Sequence, residues 1–153
     1  SERVRVAAVV AVAGFHAPEP CVRRVPTLVI HGTADPIVPV GPNGASVIID
    51  GTTPASVVEL LSASIEAEVA KSARGAGCAS TPSTTTLAPT INETRYRGCA
   101  GGADHRLVLV KGGGHTWPGA AATPDADFLG PTTTDIDATD IAWKFFEDHS
   151  GRS

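Results

Sequence analysis

An aspartate and a histidine, each placed shortly after a buried apolar run, are the residues of this sequence that best suit catalysis. Asp35 follows Thr27–Ile30, and His115 follows Leu107–Val110. A carboxylate that accepts a hydrogen bond from a histidine fixes the tautomer of the ring and stabilises the imidazolium. The histidine can then take a proton from a nucleophile and pass it to a leaving group. We therefore predict that Asp35 is the acid and His115 the general base of a hydrolytic site.

The nucleophile of such a site is not evident in the sequence. In one common hydrolase arrangement the serine precedes the acid and the histidine, in a Gly-x-Ser-x-Gly turn between a strand and a helix. That pattern does not occur in this sequence. The available serines lie in predicted loops, in the first predicted helix or beside a cysteine-flanked hairpin, at Ser46, Ser56, Ser62, Ser64, Ser72, Ser80 and Ser83. We expect none of them to be the nucleophile.

Structural roles for the same residues stay open on the sequence alone. Asp35 precedes a proline, and Asp-Pro commonly begins a turn. His115 follows three glycines, which also suits a loop histidine with no chemical role. His31 follows a strand, and its ring is expected to pack or to bond to the backbone rather than to act in catalysis.

Two other patterns do not fit ligand sites. Gly112–Gly114 lacks the spacing and the immediate helix of a phosphate-binding loop. Its glycines are expected to turn the chain sharply and, at Gly114, to bring the backbone close to a substrate. The aspartates between positions 125 and 137 do not have EF-hand spacing. No metal and no cofactor are therefore predicted.

The predicted elements place the acid and the base at one edge of a sheet. Arg3–Ala13 is apolar and β-branched, which is typical of a strand buried on both faces. One helix is predicted from Thr53–Pro54 to Gly75, and another from Asp137 to Gly151. This alternation favours an α/β fold with a mainly parallel sheet flanked by helices. In such sheets, chemistry collects at the carboxyl ends of the strands.

Length and composition indicate one globular domain. The 153 residues are 42% hydrophobic and 18% charged, which is too apolar for a disordered tail. The net charge is −4 and no basic stripe is present, so a nucleic-acid partner is not expected. The longest apolar run, Val6–Gly14, is too short to span a bilayer, so no membrane partner is expected.

Three cysteines limit the possible disulfide pairing. Cys78 and Cys99 flank a stretch rich in Thr and Pro, which is predicted to form two short strands joined by a turn. A bridge between them would add about 3 kcal/mol in the chain-entropy model and would favour an oxidising compartment. Two buried thiols are the alternative. Cys21 has no partner in this chain if that bridge forms.

Four segments resemble the polyhydroxybutyrate depolymerase-like and feruloyl-esterase-like hydrolases. Val25–Pro39 resembles their acid loop, and Gly112–Gly119 resembles their histidine loop. Asp137–Phe146 resembles their closing helix, and the stretch from Cys78 to Cys99 resembles the hairpin that precedes their last strand. The resemblance covers nearly the whole chain, with a gap around Val40–Ala55.

The resemblance implies the C-terminal part of an α/β-hydrolase fold with a disulfide-linked hairpin insertion, so that residues 1–153 form a single partial domain. It implies a secreted serine carboxyl-ester hydrolase that acts on polyester, feruloyl or acetyl-xylan esters. Asp35 would be its triad acid and His115 its base. Trp117 would line the acyl or aromatic pocket, and a packed loop tryptophan is the alternative.

The resemblance also implies parts that this chain lacks. In that family, the serine elbow and the oxyanion loop precede the strand that Arg3–Ala13 resembles. We therefore expect a missing N-terminal half to supply the serine and a partner for Cys21. The competing expectation is a non-catalytic remnant of that fold, which binds a polymer or a protein partner through a surface that includes Trp117.

Overall fold

The computed structural model describes residues 6–17, 24–38, 40, 64–121 and 125–151. Within these ranges the chain forms one sheet and three helices, in the order β1, β2, α1, β3, β4, β5, α2 and α3. The strands are β1 (Val9–Val12), β2 (Thr27–Gly32), β3 (Ser83–Ala88), β4 (Ile91–Tyr96) and β5 (His105–Val110). The helices are α1 (Ile65–Gly75), α2 (Ala126–Leu129) and α3 (Ala138–His149), and a short 3₁₀ turn, Ala100–Gly102, precedes β5.

The sheet is mixed and has the strand order β1-β2-β5-β4-β3. β1 and β5 both run parallel to β2, with Ile30 opposite Val12 on one side and Val108 on the other. β4 is antiparallel to both β5 and β3. The prediction of an α/β-hydrolase fold with a mainly parallel sheet flanked by helices is therefore wrong.

Short connections around the cysteine-flanked hairpin explain the antiparallel half of the sheet. Two residues, Pro89 and Thr90, separate β3 from β4, and residues 97–104 separate β4 from β5. Parallel neighbours need a crossover of about a dozen or more residues, so these connections permit only antiparallel pairing. The hairpin is part of the sheet and supplies two of its described strands, which the expectation of an inserted hairpin missed.

The buried strands lie where the sequence predicts them. β2 and β5 contain Thr27–Ile30 and Leu107–Val110, each extended by two residues. β1 covers four residues of Arg3–Ala13, whose first three residues lie outside the described part of the chain.

Different helices cover the two faces of the sheet. Leu28 and Ile30 of β2 pack in one cluster with Phe145 of α3. Val29 points to the opposite face and packs in a second cluster with Val69 of α1. This alternation follows the two-residue period of a strand and buries β2 on both sides.

Polar side chains begin both long helices. Asp137 accepts hydrogen bonds from the backbone N–H groups of Thr139 and Asp140, which confirms the predicted start of α3. Ser64 accepts one from the first turn of α1, whereas the predicted helix start at Thr53–Pro54 lies outside the described residues. No helix in the described ranges is long and apolar enough to cross a membrane.

A disulfide joins Cys78 to Cys99, as the sequence predicts. Cys78 follows the end of α1, and Cys99 follows the end of β4. The bridge therefore ties the helix on one face of the sheet to the hairpin at its edge. Cys21 lies outside the described residues.

Two neighbouring phenylalanines of α3 provide a test of this packing. Phe145 is 2% exposed, whereas Phe146 is 40% exposed. We expect Phe145→Ala to lower the free energy of unfolding by about 3–5 kcal/mol, because it removes a large side chain from the core. Phe146→Ala is the matched control and should cost less than about 1 kcal/mol. Equilibrium urea unfolding measures both, and equal losses would contradict the assigned orientation of α3.

Candidate functional site

Two turns at the carboxyl ends of β2 and β5 form the site. The two strands are parallel neighbours, and their last residues, Gly32 and Val110, lie opposite each other. The turns are joined by backbone hydrogen bonds of 2.9 Å, from Thr33 N–H to the Val110 carbonyl and from Ala34 N–H to the Gly113 carbonyl. The residues that follow each strand are therefore held at one place on the sheet edge.

Close backbone approach explains one glycine of these turns, and a left-handed backbone conformation explains another. A Cβ at Gly32 would lie 2.1 Å from the carbonyl oxygen of Gly113, which is far inside van der Waals contact. Gly112 has a φ of 76°, in the left-handed region that favours glycine. The tight packing of the two turns therefore depends on these glycines.

The turns bring Asp35 and His115 into direct contact. The Nδ1 atom of His115 lies 2.9 Å from the Oδ2 atom of Asp35. The other carboxylate oxygen, Oδ1, accepts hydrogen bonds of 2.8 Å from the backbone N–H groups of Ile37 and Val38. The Asp35 side chain is fully buried, so these donors replace the water that would otherwise solvate its charge.

The contact fixes the role of each imidazole nitrogen. A carboxylate accepts hydrogen bonds, so Nδ1 of His115 donates and, in the neutral ring, Nε2 carries the lone pair. The side chain is 30% exposed, and no residue in the described ranges forms a hydrogen bond with Nε2. The ring is therefore positioned to take a proton at Nε2 while Asp35 stabilises the resulting cation at Nδ1.

The last residue of α2 and the segment that follows it hold the histidine turn from the other side. His115 N–H donates to the carbonyl of Leu129 at 2.6 Å, and Gly114 N–H donates to the carbonyl of Pro131 at 2.8 Å. A Cβ at Gly114 would lie 2.3 Å from the Leu129 carbonyl oxygen. The absence of a side chain at Gly114 is thus explained by packing within the chain, and its predicted contact with a substrate stays a prediction.

Trp117, the second predicted substrate contact, lies at the surface two residues beyond His115. It is 46% exposed, and its indole N–H donates to the hydroxyl of Thr139 on α3 at 3.1 Å. The loop is therefore anchored to the helix, while part of the ring faces solvent. A pocket-lining role for Trp117 remains a prediction.

His31 is buried and bonds to the backbone, as the sequence predicts, but its position beside Asp35 was not predicted. Its Nε2 atom lies 2.9 Å from the carbonyl oxygen of Val38 and 3.3 Å from Oδ2 of Asp35. Burial lowers the pKa of His31 below its ordinary value, because the protonated ring would lose its hydration. The available signal was its spacing of four residues from Asp35 across the end of β2.

The described serines do not supply a nucleophile next to His115. Ser64 caps α1, and Ser72 forms its hydrogen bond with His105 rather than with His115. Ser80 and Ser83 are exposed beside and within the hairpin. The other serines considered, Ser46, Ser56 and Ser62, lie outside the described residues.

Ser72 and His105 form a second serine–histidine contact, with the hydroxyl 3.1 Å from Nε2. Both residues line a cavity of about 700 Å³. Ser72 lies in the second half of α1, where the backbone N–H groups are bonded within the helix. The helix around Ser72 therefore offers no free N–H donors to an oxyanion.

One group of potential metal ligands occurs in the described ranges. The sulfurs of Cys78 and Cys99 and one ring nitrogen of His105 all lie within 4.8 Å of one another. Metals bind the thiolate form of cysteine, and these two sulfurs are joined in the disulfide. The disulfide accounts for the proximity of the two sulfurs.

No family model matches the chain, and no curated protein matches it either.

Buried neutral histidines predict how stability depends on pH. Burial lowers the pKa of both His31 and His105, whereas both would titrate near pH 6.5 in the unfolded chain. The unfolded state therefore binds more protons below that pH, and the stabilisation present above about pH 6.5 is lost as the pH falls. Each histidine contributes a slope of up to about 1.4 kcal/mol per pH unit.

His31→Gln isolates one of these contributions, because an amide can still donate a hydrogen bond but does not titrate. Between about pH 7 and pH 5, the unfolding free energy of the unmodified chain should fall more steeply than that of His31→Gln. Urea unfolding at a series of pH values measures the difference. Parallel pH profiles would show that His31 gains no proton on unfolding.

Proposed function

We propose that Asp35 and His115 are the acid and the general base of a carboxyl-ester hydrolase that acts by a Ser-Asp-His mechanism. The proposed kind is polyhydroxybutyrate depolymerase-like or feruloyl-esterase-like, with polyester, feruloyl or acetyl-xylan esters as substrates. The observation that carries the proposal is the 2.9 Å hydrogen bond from Nδ1 of His115 to a buried carboxylate, with no hydrogen bond to Nε2 from any residue that the structure describes.

In the proposed reaction, His115 transfers one proton in each of two steps. Nε2 takes the proton of a serine hydroxyl as its oxygen attacks the ester carbonyl, and then gives this proton to the departing alcohol. In the second step, Nε2 takes a proton from the water that attacks the acyl-enzyme and gives it to the serine oxygen as the carboxylic acid departs. Asp35 keeps the ring in the required tautomer and stabilises the imidazolium in both steps.

The serine is proposed to come from polypeptide that is not part of this sequence. Two observations support this: the sequence has no Gly-x-Ser-x-Gly turn, and no described serine bonds to His115. The donors of an oxyanion hole would come from the same source. Secretion is proposed with the function, and the Cys78–Cys99 disulfide supports it because such bridges persist in oxidising compartments.

The proposal predicts different behaviour for this chain and for the product of the complete reading frame that contains it. This chain alone should hydrolyse p-nitrophenyl acetate at a near-background rate and should not react with a serine-directed fluorophosphonate. The complete product should hydrolyse the ester, and His115→Ala should lower kcat by about 10⁶-fold. Asp35→Asn should lower it by about 10⁴-fold, because it favours the wrong tautomer.

His16→Ala is the matched control for these substitutions. His16 is exposed, pairs with Glu68 and lines the cavity that contains Ser72 and His105. Its removal should leave the hydrolysis rate unchanged. Full activity of the His115→Ala product would refute the proposed base, and fluorophosphonate label on a serine of this chain would refute the proposed source of the nucleophile.

A second candidate function is non-catalytic binding of an ester-decorated plant polysaccharide. The observation that favours it is a pair of exposed tryptophans: Trp117 is 46% exposed and Trp143 is 65% exposed. Trp117 bonds to Thr139, and Trp143 lies one turn further along α3, with its indole N–H donating to Glu147. Both indole N–H groups are occupied, so the rings can offer apolar surface to sugar rings.

Co-sedimentation with insoluble acetylated xylan tests this second function. Wild-type chain should pellet with the polymer, whereas Trp117→Ala and Trp143→Ala should each weaken binding by about 10-fold, because aromatic contacts dominate such interfaces. Leu87→Ala is the control, since Leu87 is 57% exposed on β3. His115→Ala should bind normally. A wild-type chain that stays in the supernatant would exclude this function.

A further inference from the structure

His31 combines three unusual features next to the proposed acid. It is 1% exposed, it lies beside the fully buried carboxylate of Asp35, and its Nδ1 atom has no hydrogen-bond partner among the described residues. Leaving a buried polar atom unpaired costs free energy. A leucine or valine would fill this position of β2 without that cost. The contacts of Nε2, the other ring nitrogen, must therefore explain why a histidine is present.

The neighbours of Nε2 identify the form of the ring. A carbonyl oxygen and a carboxylate oxygen can only accept hydrogen bonds, and both lie next to Nε2, at Val38 and Asp35 respectively. Nε2 therefore carries the proton. The unpaired Nδ1 then has none, because no acceptor faces it within the described residues, and the ring is neutral.

The Nε2–H group of His31 is connected to Asp35 in two ways, through Val38 and by direct proximity. Val38 accepts from His31 through its carbonyl and donates to Oδ1 of Asp35 through its N–H, at 2.9 Å and 2.8 Å. Oδ2 of Asp35 faces His31 at 3.3 Å and His115 at 2.9 Å. His31, from which these contacts start, belongs to strand β2, which is buried on both faces.

We propose that His31 is a positioning residue, whose neutral Nε2–H group donates to the carbonyl of Val38 and thereby holds the turn whose N–H groups bind Oδ1 of Asp35, so that Oδ2 points at His115. The held segment is the turn Pro36–Val38, which follows the acid directly and donates two backbone N–H groups to it. The catalytic consequence of this positioning rests on the proposed function, whereas the hydrogen-bond geometry does not.

A neutral donor suits this position better than a cation would. A lysine or arginine beside Asp35 would neutralise the carboxylate and weaken its interaction with the imidazolium that forms at His115. A neutral N–H that binds the Val38 carbonyl holds the turn around the carboxylate and leaves the negative charge of Asp35 available. Nδ1 carries no proton in this arrangement, because a proton there would make the ring a cation.

Nitrogen-15 NMR of the ring nitrogens tests the proposal on this chain alone, at about pH 9, where an imidazole of ordinary pKa is neutral. In the wild-type chain, His31 should carry its proton on Nε2, and His115 should carry its proton on Nδ1. His31→Phe removes the donor. The signal of Nε2 in His115 should then move from the position of an unprotonated nitrogen toward that of a protonated one, since free imidazole side chains favour the Nε2–H form.

His31→Gln is the matched control, because its amide nitrogen can donate near the position of the imidazole Nε2. It should keep His115 in the Nδ1–H form, and this rescue would not be expected if His31 only filled space. An unchanged His115 tautomer in folded His31→Phe would overturn the proposal. If His31→Phe does not fold, the wild-type spectrum still decides, because a proton on Nδ1 of His31 would overturn it.

The same spectra separate this inference from the proposed function. A wild-type His115 that carries its proton on Nε2 would remove the base on which the proposed function depends, and the positioning role with it. A wild-type His115 in the Nδ1–H form that does not respond to His31→Phe would overturn the positioning role alone.

Discussion

The close backbone contact between the turns that follow β2 and β5 is the constraint on which the rest of the site depends. Gly32 and Gly113 approach so closely that no side chain fits at Gly32. Parallel pairing of the two strands brings their carboxyl ends to the same edge, and this contact then sets the distance between the chains that leave them. Asp35 and His115 meet because each follows its strand by only a few residues.

Burial of the Asp35 carboxylate is sustained by hydrogen-bond donors rather than by a cation. Two backbone N–H groups, from Ile37 and Val38, donate to one oxygen, and Nδ1–H of His115 donates to the other, which also lies 3.3 Å from Nε2 of His31. These backbone donors lose little conformational entropy when they bind the carboxylate, because they already lie in a tight turn. The carboxylate is thus fixed in direction while its charge is retained, which is the condition for stabilising an imidazolium.

The sequence predicts local elements and strand ends better than it predicts how strands pair. Thr27–Ile30 and Leu107–Val110 are apolar on both faces, and that pattern locates the strands that precede Asp35 and His115. The Thr-rich strand β3 is almost wholly exposed, so its pattern carries little information on which sheet it joins. The short connection predicts that β3 and β4 form a hairpin, whereas the pairing of this hairpin with β5 was not predicted.

The position of His31 in the site was hidden for a different reason. An apolar strand that contains one histidine suggests a ring packed in the core, and His31 is indeed buried. What the sequence does not show is that the chain turns back within four residues and places Asp35 against that ring. The carboxylate is fully buried, whereas the His115 side chain is 30% exposed and its Nε2 has no hydrogen-bond partner among the described residues. Proton transfer therefore has one direction in this pair, because Nδ1 is bound to the acid and Nε2 is the nitrogen that remains for a substrate.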